Sequence, residues 1–234
     1  MLALSGGVRV PQLGFSVAGF RRPDAAKVVR AAIETGYRAI DTDRANEAEV
    51  ADAIAASGVA RDELFVTTKV SAETVLKGFE GHSDMCLLSG PGKESAAALT
   101  RLHADGRFRA IGVAGFGVAE LRRLIETTGT VPAVNQVELH PWRQQVPLRE
   151  FHDGQGIVTG AADPVPRLTD ETVTSLAAKY GKTPAQIVLR WHLQLGTLPV
   201  VKSVVTARIH ENFGVFDFEL AEDDLAVLAE LDTV

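Results

Sequence analysis

The sequence predicts an α/β fold, a shortened (β/α)8 TIM barrel that forms a single domain over residues 1–234. Short apolar runs alternate with amphipathic stretches along the chain, which is typical of parallel strands joined by right-handed helical crossovers. About eight strand–helix units can be counted, and eight is the number that closes such a barrel. The first strand-to-helix turn carries no GxGxxG motif, so an open dinucleotide-binding sheet is disfavoured.

The apolar runs are predicted as barrel strands and the amphipathic stretches as helices. The predicted strands are residues 13–16, 37–41, 64–69, 85–89, 110–113, 133–136, 156–159 and 198–201. The predicted helices are a stripe over residues 28–33 that ends at Gly36, and residues 47–56, 94–104, 117–127, 147–153, 170–180, 183–194, 206–213 and 222–231. Thr183 can cap the helix over 183–194, and Pro184 suits its first position.

Composition and charge exclude several classes of protein. Hydrophobic residues make up 46% and charged residues 23% of the chain, so a disordered chain is excluded. No apolar run approaches about 18 residues and the N-terminus lacks a basic segment, which predicts neither a membrane span nor a secretory signal. The single Cys86 fits a cytoplasmic protein, and the net charge of -6 argues against nucleic acid as a partner. No cluster of His, Cys and carboxylates has metal-ligand spacing, so no metal site is predicted.

Active sites of such barrels lie where the strands end at their carboxyl termini. The polar residues predicted there are Asp41, Lys69, Ser89, Asn135, Gln136, Lys202 and Ser203. These side chains are the first candidates for binding and chemistry on a small-molecule substrate.

Long collinear segments of the chain resemble the aldo-keto reductase family. They are VPQLGF (10–15), ETGYRAIDT (34–42), RDELFVTTK (61–69), GRFRAIGV (106–113), VPAVNQVELHP (131–141), GKTPAQIVLRWHLQLG (181–196) and VKSVVTARIHENFGVFDFEL (201–220). The resemblance covers nearly the whole chain. It implies a cytoplasmic barrel that binds NADP(H) in an extended form without a Rossmann motif.

The resemblance also implies a catalytic tetrad of Asp, Tyr, Lys and His, which protonates a carbonyl as hydride arrives. Asp41 and Lys69 match two of its members. The tyrosine has no counterpart, because the stretch after Asp41 is shortened and holds none, and Ser89 occupies the position of the histidine. Of the two tyrosines in the chain, Tyr37 starts a strand at the opposite end of the barrel and Tyr180 ends an outer helix, so neither is expected to substitute.

Cofactor contacts implied by the resemblance are altered at one end and retained at the other. Around the nicotinamide, residues 114–116 read AlaGlyPhe and lack two of the family's side chains, Ala162 stands in place of the stacking aromatic, and Gln136 remains as a contact. A second group, which we call the distal clamp, keeps the family spacing: Lys202, Ser203, Arg208, Glu211 and Asn212. Lys202 and Arg208 are expected to hold the 2′-phosphate, with Glu211 and Asn212 at the adenine.

The chain is slightly short for its predicted fold. Its 234 residues compare with roughly 250 in a typical eight-fold barrel. Against the family, the shortfall lies after Thr42, between Lys69 and Asp84, and after Pro164. Family members carry the tyrosine loop, a full helix and a long substrate-side loop at these places, so trimming is expected mainly on the catalytic face.

The functional hypothesis from the sequence is an enzyme of this fold that has lost ordinary carbonyl reduction. It would perform non-redox acid–base chemistry, such as elimination, isomerisation or cyclisation, on a small organic substrate such as a biosynthetic intermediate. The residues chosen as catalytic are Asp41, Lys69, Asp163 and Ser89, with NADP(H) held through the distal clamp but not expected to act in redox chemistry.

Several alternatives stay open at this stage. The protein could be an active NADPH-dependent oxidoreductase with a rebuilt proton relay, or a non-catalytic NADP(H)-binding sensor or partner protein. Asp41 and Lys69 could form a structural ion pair, and Asp163 could be a turn residue before Pro164. His82 is expected on the surface.

Overall fold

The strands of the protein form a barrel and one small hairpin. The structure is a computed structural model that describes residues 1–81 and 83–233, so His82 lies outside the described residues. The strands are β1 Leu2–Ala3, β2 Arg9–Val10, β3 Gly14–Ser16, β4 Ala39–Asp43, β5 Phe65–Ser71, β6 Met85–Ser89, β7 Ala110–Ala114, β8 Val134–Glu138, β9 Val158–Ala162 and β10 Leu198–Val201. Strands β3 to β10 close into one barrel in the order β10-β3-β4-β5-β6-β7-β8-β9.

Neighbouring barrel strands are parallel throughout, and helices follow most of them. The helices are α1 Arg22–Thr35, α2 Glu47–Ser57, α3 Ala72–Leu76, α4 Ser95–Asp105, α5 Val118–Thr128, α6 Val146–Gln155, α7 Glu171–Tyr180, α8 Pro184–Gln194, α9 Thr206–Phe213 and α10 Glu222–Ala229. The predicted shortened (β/α)8 barrel is therefore confirmed, and each predicted strand overlaps an observed one. The antiparallel β1–β2 hairpin was not predicted.

Local sequence signals account for where the helices begin and end. Helix α1 ends at Gly36, whose φ of 120° lies in the left-handed region that favours glycine. Helix α8 begins with a capping box, in which the Thr183 side chain accepts from the Gln186 amide and the Gln186 side chain accepts from the Thr183 amide. The Asp170 side chain caps α7 by accepting hydrogen bonds from the Thr172 and Val173 amides.

The connection between β5 and β6 is the most reduced part of the barrel wall. Among its described residues it holds a single helix, α3 of 5 residues, whereas α1 has 14 and α9 has 8. The described part of the segment between Lys69 and Asp84 therefore contains no full-length helix, in line with the shortfall in chain length expected there.

The barrel interior is packed rather than open. Side chains from alternate positions of the strands fill it, and they leave a cavity of only about 20 Å³ below Asp41 and Gln136. Outside the barrel, Phe15 and Tyr37 are fully buried with the apolar stripe of α1 and with Ile209 of α9. Burial of each large side chain of this kind contributes about 1.5–3 kcal/mol to stability.

Candidate active site

Four polar side chains meet inside the carboxyl end of the barrel, and we call them the mouth cluster: Ser16 of β3, Asp41 of β4, Lys69 of β5 and Gln136 of β8. Asp41 Oδ1 accepts hydrogen bonds from Lys69 Nζ at 2.8 Å and from Ser16 Oγ at 2.9 Å. Asp41 Oδ2 accepts from Gln136 Nε2 at 3.3 Å. One carboxylate thus joins donors from three other strands.

Strand register explains why these side chains converge. Ser16 lies opposite Asp41 across the β3–β4 pair, and Asp41 lies opposite Thr67 of β5. Lys69 is two residues further along β5, so its side chain faces the same way as Thr67. It reaches back to Asp41 from the solvent side of the barrel mouth.

Burial differs sharply within the mouth cluster. Asp41 and Gln136 are 4% and 5% exposed, whereas the Lys69 side chain is 22% exposed. A buried carboxylate is costly unless it is paired and hydrogen-bonded, and here one ammonium and two neutral donors stabilise it. Within the described chain, Lys69 Nζ donates only to Asp41. Because an ammonium carries three protons, Lys69 keeps N–H groups for a molecule that enters from solvent.

Neither tyrosine lies at the mouth, as the sequence predicted. Tyr37 is buried against Phe213, and its hydroxyl donates to the carbonyl of Ile209 at 3.3 Å. Burial raises the pKa of Tyr37, which further opposes a role in proton transfer. The Tyr180 hydroxyl donates to Asp224 between α7 and α10, on the outside of the barrel.

The other two predicted catalytic residues lie at the rim of the barrel mouth. Ser89 is the last residue of β6, and Asp163 directly follows β9; both are exposed. Asp163 has a φ of 47°, a left-handed conformation that aspartate tolerates better than most residues. In the described chain neither side chain is hydrogen-bonded to the mouth cluster. The structure therefore brings together Asp41 and Lys69 but not Ser89 or Asp163.

A buried polar chain holds the loop that follows β7. The Asn135 side chain donates to the Phe116 carbonyl at 2.7 Å and contacts His152 Nε2 at 3.0 Å. His152 Nδ1 in turn lies 2.8 Å from Thr159 Oγ1. Burial lowers the pKa of His152 to about 4, so its imidazole is neutral at physiological pH. This network fixes the backbone of the predicted nicotinamide-side loop.

The cationic part of the distal clamp follows β10, next to β3 in the barrel. Lys202 Nζ donates to the Ala18 carbonyl and lies 4.8 Å from the centroid of the Phe20 ring. Arg208, on α9, is exposed, and its guanidinium has no hydrogen-bonding or ionic partner among residues 1–81 and 83–233. Two cations therefore lie close to the start of α9, with the Arg208 donors available to an anion.

The other members of the distal clamp are held by hydrogen bonds within the protein or are buried. Ser203 Oγ accepts from the Val205 amide at 3.0 Å, which shapes the turn into α9. Glu211 Oε1 accepts from Thr183 Oγ1 at 2.8 Å, and Asn212 is 6% exposed. The α9 N-terminus has no side-chain cap, so its positive end faces solvent. Together with the exposed Arg208 guanidinium, this arrangement fits a phosphate group.

Several other features lie away from the mouth. A cavity of about 810 Å³ opens on the barrel flank between α2 and the segment after α3, where the barrel wall is thin, and it includes no member of the mouth cluster. No helix in the described residues is long and apolar enough to cross a membrane. The same residues contain no group of three or more His, Cys, Asp or Glu side chains that could hold a metal ion.

Neither Ser16 as a member of the site nor the contact between Gln136 and Asp41 was predicted from the sequence. Ser16 ends a predicted strand, so the strand-end rule that selected Asp41 and Lys69 could also have selected it. The Gln136 amide donates to Asp41, and its contact with a nicotinamide stays a prediction. No sequence signal identifies that pairing, because it depends on how far apart β4 and β8 lie across the barrel.

The sequence model of the Aldo/keto reductase family matches residues 11–87 and 82–233, two stretches that meet beside the shortened β5–β6 connection. The chain belongs to the aldo-keto reductase family. A protein of Mycolicibacterium smegmatis named aldo-keto reductase is 40% identical, covering 99% of this chain and 93% of its own length. Morphine 6-dehydrogenase of Pseudomonas putida is 38% identical (100% and 91%), and glyoxal reductase of Bacillus subtilis is 40% identical (95% and 89%).

Solved structures agree with this assignment. An aldo/keto reductase from Brucella melitensis superimposes with a TM-score of 0.93 at 39% identity, covering 99% of this chain and 98% of that one. A variant of Gox0644 in complex with NADPH superimposes with a TM-score of 0.91 at 35% identity, covering 99% and 93%.

The expectation of a non-redox enzyme of the lyase or isomerase type is wrong. Relatives that match nearly the whole chain are named as a dehydrogenase and a reductase, and a structural neighbour holds NADPH. The hypothesis of a non-redox enzyme gave too much weight to the altered loops after β4 and β6. It gave too little to the retained Asp41–Lys69 pair and distal clamp, which are the parts expected to serve redox chemistry with NADPH.

Proposed function

We propose that this protein is an NADPH-dependent oxidoreductase that reduces small carbonyl compounds at the mouth of its barrel. One observation carries the proposal: an ammonium–carboxylate pair and an exposed cationic clamp lie at the same end of one barrel. Lys202 follows β10, which pairs with β3, and β3 pairs with β4, the strand of Asp41. The relatives named glyoxal reductase and morphine 6-dehydrogenase support this reaction class.

The distal clamp would hold the phosphate-bearing end of the cofactor. Arg208 offers a planar set of N–H donors and Lys202 a compact charge, both suited to the 2′-phosphate that distinguishes NADPH from NADH. Ser203 would orient the turn beside them, and Glu211 and Asn212 would flank the adenine. When bound, NADPH supplies a hydride to a carbonyl carbon.

The mouth cluster would receive the substrate carbonyl. Lys69 faces solvent above Asp41, so a carbonyl oxygen can approach its Nζ. Asp41 holds that ammonium in place, while Ser16 and Gln136 hold Asp41. Ser89 and Asp163, exposed at the rim, would contact the rest of a polar substrate.

Cofactor binding gives the first test. Titration calorimetry should show NADPH binding more tightly than NADH to the wild-type protein. Arg208→Ala should weaken NADPH binding by about 10- to 100-fold, since a hydrogen-bonded contact with a charged group contributes about 1.5–3 kcal/mol. It should leave NADH binding nearly unchanged, because NADH lacks the 2′-phosphate.

Turnover gives the second test. The absorbance of NADPH should fall when the wild-type protein is mixed with a panel of small aldehydes and ketones that includes glyoxal. Arg123→Ala, an exposed arginine on α5, is the matched control and should behave as wild type in both tests. NADPH binding without oxidation by any carbonyl would instead favour a non-catalytic cofactor-binding protein.

A further inference from the structure

We propose that the Lys69 ammonium itself donates the proton that completes carbonyl reduction. This inference rests on the proposed function and specifies how its site works. Reduction of a carbonyl by hydride leaves a negative charge on oxygen, which needs a proton donor within hydrogen-bonding reach. Lys69 Nζ is the cationic donor of the mouth cluster, and it is the member of that cluster most open to solvent.

Both tyrosines lie too far from the barrel mouth to donate the proton, so another side chain must do so. The Tyr37 hydroxyl is committed to the carbonyl of Ile209 in the core, and the Tyr180 hydroxyl to Asp224 outside the barrel. Neither can reach a carbonyl beside Asp41 without dismantling the packing around it. A phenol is therefore not available as the acid at the mouth.

The surroundings of Lys69 suit proton donation. Its Nζ donates to Asp41 Oδ1 at 2.8 Å, so the Lys69 side chain is held in place at the barrel mouth. One of the three ammonium N–H groups donates to Asp41, and Nζ has no second hydrogen-bond acceptor among the described residues. A carbonyl oxygen from solvent can accept one of the remaining N–H groups without displacing a protein contact.

Carbonyl reduction adds a hydride to carbon and a proton to oxygen. Hydride brings an electron pair to the carbonyl carbon, and the π pair of the C=O bond moves to oxygen. That oxygen takes a proton from Lys69 Nζ, so an O–H bond forms as an N–H bond breaks. Lys69 is left as a neutral amine beside ionised Asp41, and solvent returns the proton before the next turnover.

His140 is the competing donor at this end of the barrel. It follows β8, and its Nε2 lies 3.2 Å from Glu138 Oε1. Its side chain is only 7% exposed, however, and it makes no hydrogen bond with the mouth cluster among the described residues. His140→Gln is therefore expected to retain kcat within about threefold, a change of less than about 1 kcal/mol.

Substitution of Lys69 separates charge from proton donation. Lys69→Met keeps the apolar stem and should lower kcat by about 10²- to 10⁴-fold, the range for general acid catalysis. Lys69→Arg keeps the positive charge, but a guanidinium holds its protons, so its kcat should stay close to that of Lys69→Met. Lys77→Ala, at an exposed lysine paired with Glu73, is the matched control and should keep wild-type activity. Circular dichroism melting identifies any variant that fails to fold.

Chemical rescue tests the proton directly. Added methylammonium should restore part of the kcat of Lys69→Ala, whereas tetramethylammonium, a cation without N–H groups, should not. Equal rescue by both ions would show that only charge is needed and would overturn the inference. Retention of more than about one-tenth of wild-type kcat by Lys69→Met would overturn it as well, since general acids contribute at least about 10²-fold.

A binding measurement without cofactor gives an independent readout. Acetate mimics the charged oxygen and should shift the Lys69 ammonium resonance in NMR of isotopically labelled lysine side chains, with the signal assigned by its loss in Lys69→Arg. No shift at saturating acetate would contradict an accessible Nζ donor. If the wild type instead oxidises NADPH with no carbonyl at all, the proposed function fails first and this inference with it.

Discussion

The mouth cluster and the distal clamp lie at the same end of the barrel but hold their charges in different ways. In the mouth cluster, Asp41 is nearly buried and is neutralised by Lys69 at 2.8 Å, with two further hydrogen bonds to the same carboxylate. In the distal clamp, Arg208 is exposed and without a partner among the described residues. A charge that is already paired is positioned for chemistry, whereas an exposed charge is available for binding.

Because of this difference, we expect the mouth cluster and the distal clamp to respond differently to pH and to salt. Buried polar side chains hold the mouth and its loops in place. A change of pH should therefore alter the stability of this region, whereas a change of salt concentration should not. The cofactor contacts proposed for the distal clamp use exposed cations, so salt should weaken NADPH binding there. A fall in pH and a rise in salt concentration should therefore affect the two regions differently.

The largest expected effect is on stability as the pH falls. His152 contacts Asn135, which holds the loop after β7, and His192 Nε2 lies 3.4 Å from the Pro164 carbonyl after β9. Burial lowers the pKa of His152 to about 4 and that of His192 to about 3. Both values lie below the value of about 6.5 for an unfolded histidine, so the unfolded chain binds these protons first.

Stability is therefore complete above pH 6.5 and is lost as the pH falls towards 4 and 3. At pH 5 each histidine should remove about 2 kcal/mol, or about 4 kcal/mol together, from the free energy of unfolding. Urea unfolding at pH 7 and pH 5 measures this loss. His152→Gln should roughly halve the pH dependence, and an unchanged dependence would show that His152 does not titrate as described.

The next effect concerns the centre of the mouth cluster. Asp41→Asn removes the charge that orients Lys69, so kcat for carbonyl reduction should fall by about 100-fold, or about 2.7 kcal/mol of transition-state stabilisation. The affinity for NADPH should change little, because the distal clamp is intact. Asp52→Asn, at an exposed carboxylate on α2, is the control and should keep wild-type kcat. An equal loss in both variants would point to a general charge effect.

Some of the residues in these predictions can be identified from the sequence, and others only from the structure. The strand positions and the Asp41–Lys69 pair could be predicted, because hydrophobic alternation and the strand-end rule act locally. The contact of Gln136 with Asp41 joins residues 95 positions apart in sequence, across the barrel interior, and no local pattern encodes it. The link between Asn135 and His152 depends likewise on how α6 packs against β8.

A smaller effect separates the distal clamp from the mouth. Raising the ionic strength from about 0.01 to 0.15 M shortens the screening length from about 30 to 8 Å, and NADPH affinity should fall by about tenfold. NADH affinity should fall less, and Arg208→Ala should reduce the salt dependence for NADPH. Calorimetry at several salt concentrations measures these slopes. Equal slopes for NADPH in wild type and variant would argue against contact between Arg208 and the phosphate.

The smallest effect is expected at Ser16. Ser16→Ala removes one of three hydrogen bonds to Asp41 and leaves the Lys69 and Gln136 donors in place. The rate of carbonyl reduction should fall by about fivefold or less, since a single neutral hydrogen bond contributes about 1 kcal/mol. A loss as large as that of Asp41→Asn would mean that Ser16 takes part in proton transfer.

Steady-state kinetics of NADPH-dependent carbonyl reduction by the wild type, Lys69→Met and Arg208→Ala test the central claim most directly. The account predicts that Lys69→Met loses kcat by at least about 10²-fold while its affinity for NADPH is unchanged. It predicts that Arg208→Ala raises the KM for NADPH by about tenfold or more while its kcat is largely kept. Full kcat in Lys69→Met, or an unchanged KM in Arg208→Ala, would contradict the division between a region for protons and a region for phosphate.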